Sequence, residues 1–226
     1  MPKALFLPLA IATNIAVAAF GQSPPPLGFT IPERTLSPDK RFGVLVPDEK
    51  RYDAGGKNQL VEVGTGRVLA EIAGEPGMER MNHGGVAPRW SADSSLLLWK
   101  VEGKWFPRAF VLIKLDDGKV QWQLNLLKTG QQEILGRARE AEPKKYAAAK
   151  KRNSGNGAAY PEGFTVDVTT DGEENSPIAL PLPVNVTLTS NPKAIEDYPE
   201  NAELNATLEG QVDGDGKFKV LKFGLQ

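Results

Sequence analysis

Short apolar runs alternate with clusters of Gly, Pro, Ser and Asp from Leu36 to Leu127, and this punctuation constrains the fold more than any other feature of the 226-residue chain. Runs this brief, rich in Val, Leu and aromatic residues and closed by turn chemistry, read as strands. The predicted strands are Phe42 to Val46, Gln59 to Val63, Arg67 to Ile72, Leu96 to Val101, Ala109 to Leu115 and Lys119 to Leu126.

These strands form two copies of one pattern. Ser37-Pro38-Asp39 precedes Phe42-Gly43-Val44-Leu45-Val46, and Ser91-Ala92-Asp93 precedes Leu96-Leu97-Leu98-Trp99; each copy continues into a hairpin whose turn glycine is Gly66 or Gly118. In both, a Ser or Asp side chain closes a turn before a buried strand, and the hairpin glycine supplies a positive φ. Repetition of this kind predicts two stacked three-stranded meanders.

At these residues the chain resembles the blades of WD-repeat and Tol-type β-propellers, in which a Ser-Pro-Asp-Gly turn precedes a strand and a hairpin tipped by Thr-Gly follows. Lys40 stands where those families usually place glycine, and Ala92 replaces proline in the second copy. A propeller closes with about four to eight blades, so two copies imply local meanders and not a closed ring. The chain is also similar to a group of uncharacterised exported bacterial proteins, which adds no chemistry.

Gly64-Thr65-Gly66 imitates the glycine loop of a dinucleotide site. Such a loop needs a helix after it, with its N-terminus facing the phosphates. Here Gly74, Pro76 and Gly77 cut any helix short, and the sister copy places Asp116 and Asp117 where phosphates would sit. A β-turn accounts for both copies.

Residues 129–152 read as a helical excursion, with Thr129 as its cap and Ile134, Leu135, Ala138 and Ala141 on one stripe,. Pro143 ends that helix or opens a second one, whose basic cluster (Lys144, Lys145, Lys150, Lys151, Arg152) reads as a solvated face,. Four more strands are expected within residues 153–226: Phe164 to Thr169, Val184 to Thr189, Leu204 to Val212 and Lys217 to Phe223. The last two flank Asp213-Gly214-Asp215-Gly216. That turn lacks the late bidentate Glu of a calcium loop and reads as a hairpin tip. The expected fold is thus mainly β: antiparallel meanders, one helical excursion, and a C-terminal four-stranded segment packed on the repeats at 36–128.

Ahead of the repeats, Lys3 precedes an uncharged stretch from Ala4 to Phe20, and Ala19 and Gly21 offer small residues for cleavage before Gln22. This is a secretory signal pattern, so residues 1–21 are expected to be a cleaved signal peptide and the product periplasmic or secreted from a bacterium. Residues 22–35, with Pro24, Pro25, Pro26 and Pro32, read as an extended lead-in. No span is long enough to cross a membrane after residue 22. Cysteine is absent, which removes disulfides, thiolate metal sites and cysteine nucleophiles.

Charge is divided unevenly. Residues 1–152 carry 23 Lys and Arg against 16 Asp and Glu, and residues 153–226 carry 4 against 12; the two segments are expected to complement each other within one globule. Charge-relay chemistry would depend on His83, the single histidine,. No cofactor, metal or nucleic-acid partner is expected. The reading is a non-enzymatic interaction module of the bacterial envelope with a protein or glycan partner; the alternative is a glycan-binding protein or a carboxylate-dependent glycan hydrolase. Candidate ligand contacts are Trp105, Arg108, Lys104, Arg89 and His83, because Trp and Arg are enriched in binding hot spots. Trp90, Trp99 and Trp122 are assigned to the core.

Overall fold

The computed structural model describes residues 24–104, 107–152, 161–173, 176–190 and 203–226. Its backbone forms three four-stranded antiparallel sheets, each an open meander. The expected signal peptide and Trp105 lie outside the described residues.

The first sheet joins β1 (Phe29–Thr30), β2 (Phe42–Pro47), β3 (Gln59–Glu62) and β4 (Arg67–Glu71) in that order. The second joins β5 (Gly85–Trp90), β6 (Leu96–Glu102), β7 (Pro107–Asp116) and β8 (Lys119–Asn125). Each repeat therefore carries one strand more than its sequence pattern marks. The extra strands, β1 and β5, both lie at sheet edges. Pro88, which would break an internal strand, is tolerated in β5 because only one side of the strand is paired,. Asp48 caps a further short helix, α1 (Glu49–Asp53), by accepting from the Arg51 amide (2.8 Å).

The repeated turns share their bonding. Ser37 Oγ donates to Asp39 Oδ1 (2.6 Å) and accepts from the Phe42 amide (2.9 Å). Ser91 Oγ does the same with Asp93 (2.6 Å) and Leu96 (2.8 Å). Lys40 and Ser94 occupy the left-handed region (φ 58° and 62°), the conformation for which the blade families use glycine,. Gly66 and Gly118 are also left-handed, at φ 67° and 69°, as the hairpin reading requires. Residues after Gly66 form β4, an antiparallel strand and not a helix, so the dinucleotide reading has no structural basis.

The second sheet is the middle layer. Leu97, Trp99, Val101, Val111 and Ile113 pack against Phe42, Val44, Val46 and Leu60 of the first sheet. Their strand neighbours Leu96, Leu98, Phe110 and Leu112 face the opposite way, into a second cluster with the helices and the third sheet. Polar ties also align the first two sheets, among them Trp90 Nε1 donating to the Thr35 carbonyl (3.1 Å) and Gln123 Nε2 on β8 donating to the Glu71 carbonyl on β4 (2.9 Å).

Helix α2 (Leu126–Ala141) is capped four residues before Thr129, by Asn125, which accepts from the Lys128 amide (2.9 Å). Asn is a stronger cap than Thr, and Leu126 becomes helical core instead of the end of a strand. Pro143 opens α3 (Pro143–Arg152). The third sheet joins β9 (Phe164–Thr170), β10 (Leu182–Ser190), β11 (Ala206–Val212) and β12 (Phe218–Leu225). Its alternating burial places Val166, Val168, Val184, Val186 and Leu208 inward. Gly130 lets α2 press on this sheet, since a Cβ there would lie 3.0 Å from Val168. Buried Tyr146 ties α3 to the same core, donating to Glu162 Oε2 (2.8 Å). Burial and the Glu162 carboxylate push that phenol well above its ordinary value.

Candidate binding groove

The residues singled out from the sequence separate into two groups. His83, at φ 62° and exposed, sits in the turn before β5, where Gly84 presses against the Glu102 carbonyl. Lys104 is exposed on the connection that follows Glu102, and Arg108 is the second residue of β7, the strand that connection enters. Arg108 Nη1 donates to Tyr52 Oη (3.2 Å), and its Nε lies 4.0 Å from the Glu75 carboxylate. These three residues gather at one end of the second sheet.

Arg89 faces the third sheet instead. Its guanidinium makes five hydrogen bonds: to the Ser176 carbonyl (3.1 Å), Ser176 Oγ (2.9 Å), Thr170 Oγ1 (3.3 Å) and twice to the Asp171 carbonyl (3.2 and 3.3 Å). Burial pushes its pKa below the ordinary value. A guanidinium has five N–H donors, so Arg89 is committed to clasping the β9–β10 connection onto β5. A cleft of about 250 Å³ lies beside it, in which Lys100 and Glu102 pair at 2.9 Å.

The larger opening lies at the other end of the same interface. The third sheet and α2 cover the middle of the second sheet's face but leave Lys114, Asp116 and Trp122 beyond them lining an open recess of about 670 Å³. A second recess of about 360 Å³ continues from it past Asp93, Ser95 and Lys114 to Ile178 and Leu180. Together they form one groove, polar and aromatic at one end and apolar at the other.

Two contacts fix the polar end. Lys114 Nζ donates to the Gly214 carbonyl (3.1 Å), and Gly216 sits so close to Trp122 that a Cβ would fall 2.6 Å from the ring. Gly216 adopts φ 76°, and Asp213 Oδ1 holds the hairpin tip by accepting from the Asp215 and Lys217 amides (3.0 and 2.9 Å). Asp93 also borders the groove. The Ser91 hydroxyl, then the Ser95 amide and hydroxyl, hold its carboxyl below the ordinary range, so it is ionised and engaged in its own turn.

Sequence reasoning assigned Trp122 to the core, and the ring is indeed partly buried there; the same ring also lines the groove. The polar residues flanking it in Lys119-Val120-Gln121-Trp122-Gln123 marked a half-exposed strand and were the available signal. That Gly214 and Asp215 would arrive beside it had no local signal. Among the described residues, no group of three His, Asp or Glu side chains is placed to hold a metal, and no helix is long and apolar enough to cross a membrane. No family model, curated protein or solved structure matches the chain.

Proposed function

We propose that the chain is an exported, non-enzymatic interaction module of the bacterial cell envelope and that the groove between its second and third sheets is the binding surface. The supporting observation is the groove itself, a continuous recess whose walls come from β6, β7, β8, the 178–180 segment and the β11–β12 hairpin tip. Strands β7 and β8 present Lys114, Asp116 and Trp122, and connections held on that scaffold supply the rest,. Its best-defined carboxylate, Asp93, is held ionised by its own turn, which suits it to accepting hydrogen bonds and not to delivering a proton.

The first two sheets support a kinship with propeller blades. Their four strands, face-to-face stacking and shared Ser/Asp turns are the features on which that kinship rests. The export reading rests on Lys3, the apolar stretch after it and the Ala19-Phe20-Gly21 exit.

The test is co-sedimentation of the mature protein, residues 22–226, with purified cell-wall sacculi and with outer-membrane vesicles. The wild-type protein should sediment with one of them, and Gln121→Ala combined with Asp215→Asn should reduce the bound fraction. Wild-type protein that stays in the supernatant with both, or a double variant that sediments as wild type does, refutes the proposal.

A further inference from the structure

We infer that the groove takes a glycan chain, either neutral or bearing amino sugars; this rests on the groove being the binding surface. A sugar ring has an apolar C–H face and a rim of hydroxyls. It is held by an aromatic surface next to acceptors that take two hydroxyls at once, as carboxylates and carboxamides do. The polar end of the groove supplies both: Trp122, with Gly216 against its ring, forms part of the wall, and Asp116, Asp215 and Gln121 stand exposed around it.

Charge narrows the class. Asp93, Asp116 and Asp215 line the groove against one cation, Lys114, whose ammonium donates to the Gly214 carbonyl. A nucleic acid, an acidic polysaccharide or a phosphate headgroup meets repulsion there, a polyhydroxyl meets none, and a sugar ammonium gains. Shape favours a chain over a single ring, because the two recesses run into each other and share Asp93, Ser95 and Lys114. Ala92, Ile178 and Leu180 at the far end suit the C–H face of a further ring or an acetamido methyl group.

A basic peptide would also match the charge. A peptide that adds a strand, however, draws its affinity from main-chain pairing along a sheet edge, whereas the lining of this groove runs from β8, the edge strand, inward over Lys114 and Asp116 to Ile178 and Leu180. The observations favour the sugar.

The test is calorimetric titration of the mature protein with the pentamer of N-acetylglucosamine, the pentamer of glucosamine, a galacturonate pentamer and oligolysine. Both glucosamine-type pentamers should bind and the galacturonate should not. The glucosamine pentamer should bind about threefold to tenfold more tightly than its acetylated form, as one or two exposed charge pairs allow, and the difference should disappear at about 0.5 M salt. Trp122→Ala should weaken both sugars about tenfold or more. Because that ring also packs on the core, Gln121→Ala with Asp215→Asn serves as the second variant; both sites are exposed, and the pair should cost the glucosamine pentamer a similar factor. Binding of oligolysine but neither sugar, with loss in the double variant, would overturn the glycan and leave the groove standing. Sugar binding unchanged in both variants would overturn the groove, and absence of binding by either sugar would overturn the inference.

Discussion

In the first repeat the Ser37 to Phe42 turn lies against its sister, with the Asp39 amide donating to Ser94 Oγ (3.2 Å); in the second, the Ser91 to Leu96 turn places Asp93 at the rim of the groove. The hydroxyl and carboxylate bonds within the two turns are nearly superimposable in kind and length. What differs is the neighbour. The local sequence sets how each turn closes, whereas the approach of the third sheet places the second turn at the border of a recess. Repetition here builds a scaffold, and the candidate site arises where the repeat meets a different element.

That comparison can be broken most directly at the serines. Ser37→Ala and Ser91→Ala each strip a buried strand amide of its acceptor, and each should destabilise the fold by about 1–3 kcal/mol in urea unfolding. A loss confined to one copy would show that the turns are alike in geometry but not in energy. A smaller effect sharpens the contrast. Lys40→Gly should stabilise the protein by about 1 kcal/mol, because it relieves an L-residue of the left-handed conformation. Ser94→Gly should gain less in thermal unfolding, since it also removes the acceptor for the Asp39 amide. Equal gains would mean that the contact between the turns contributes nothing.

The smallest expected effect is on pH. Burial acts to raise the Asp39 carboxyl, but bonds from Ser37, the Arg41 amide and Ser94 outweigh it and hold the group below its ordinary value, as Asp93 is held. The unfolded chain therefore takes up these protons first. The stabilisation is complete above the unfolded value and is lost as pH falls through the folded one, so wild-type stability should decline below about pH 4. The Asp39→Asn/Asp93→Asn double variant should decline less over the same interval in urea midpoints. Glu62 and Glu162, displaced in the same direction, contribute equally to both proteins. Parallel curves would mean that neither turn carries its charge into the stability.

The strands that interleave two apolar layers were legible in the sequence because burial on both faces leaves uninterrupted runs such as Leu96 to Trp99. The edge strands were not. Phe29 and Thr30 stand among prolines, and Pro88 argues against a strand unless the edge position is known. Gly66 and Gly118 announced their turns because positive φ has a chemical signature, but Lys40 and Ser94 adopt the same conformation without one. Asn125 was hidden by Leu126 and Leu127, which prolong the strand pattern past the true cap. For the site, the loop residues chosen by type divided, with Arg89 spent on an internal clasp. Trp122 gained a second role only from a hairpin roughly 90 residues further along the chain, a juxtaposition for which no local pattern exists.

The sandwiched second sheet also bears on how the protein can change over generations. Leu98 and Trp99 are consecutive on one strand, both buried, and point into different layers. A backbone shift that makes room for a bulkier neighbour on one side must move the other side as well, so substitutions in the first sheet and in the third become dependent on each other although the two sheets sit on opposite faces. The groove is released from that bond, because Gln121, Asp116 and Asp215 stand at its open margin. The lining of the groove can therefore drift while the interior on both sides stays locked.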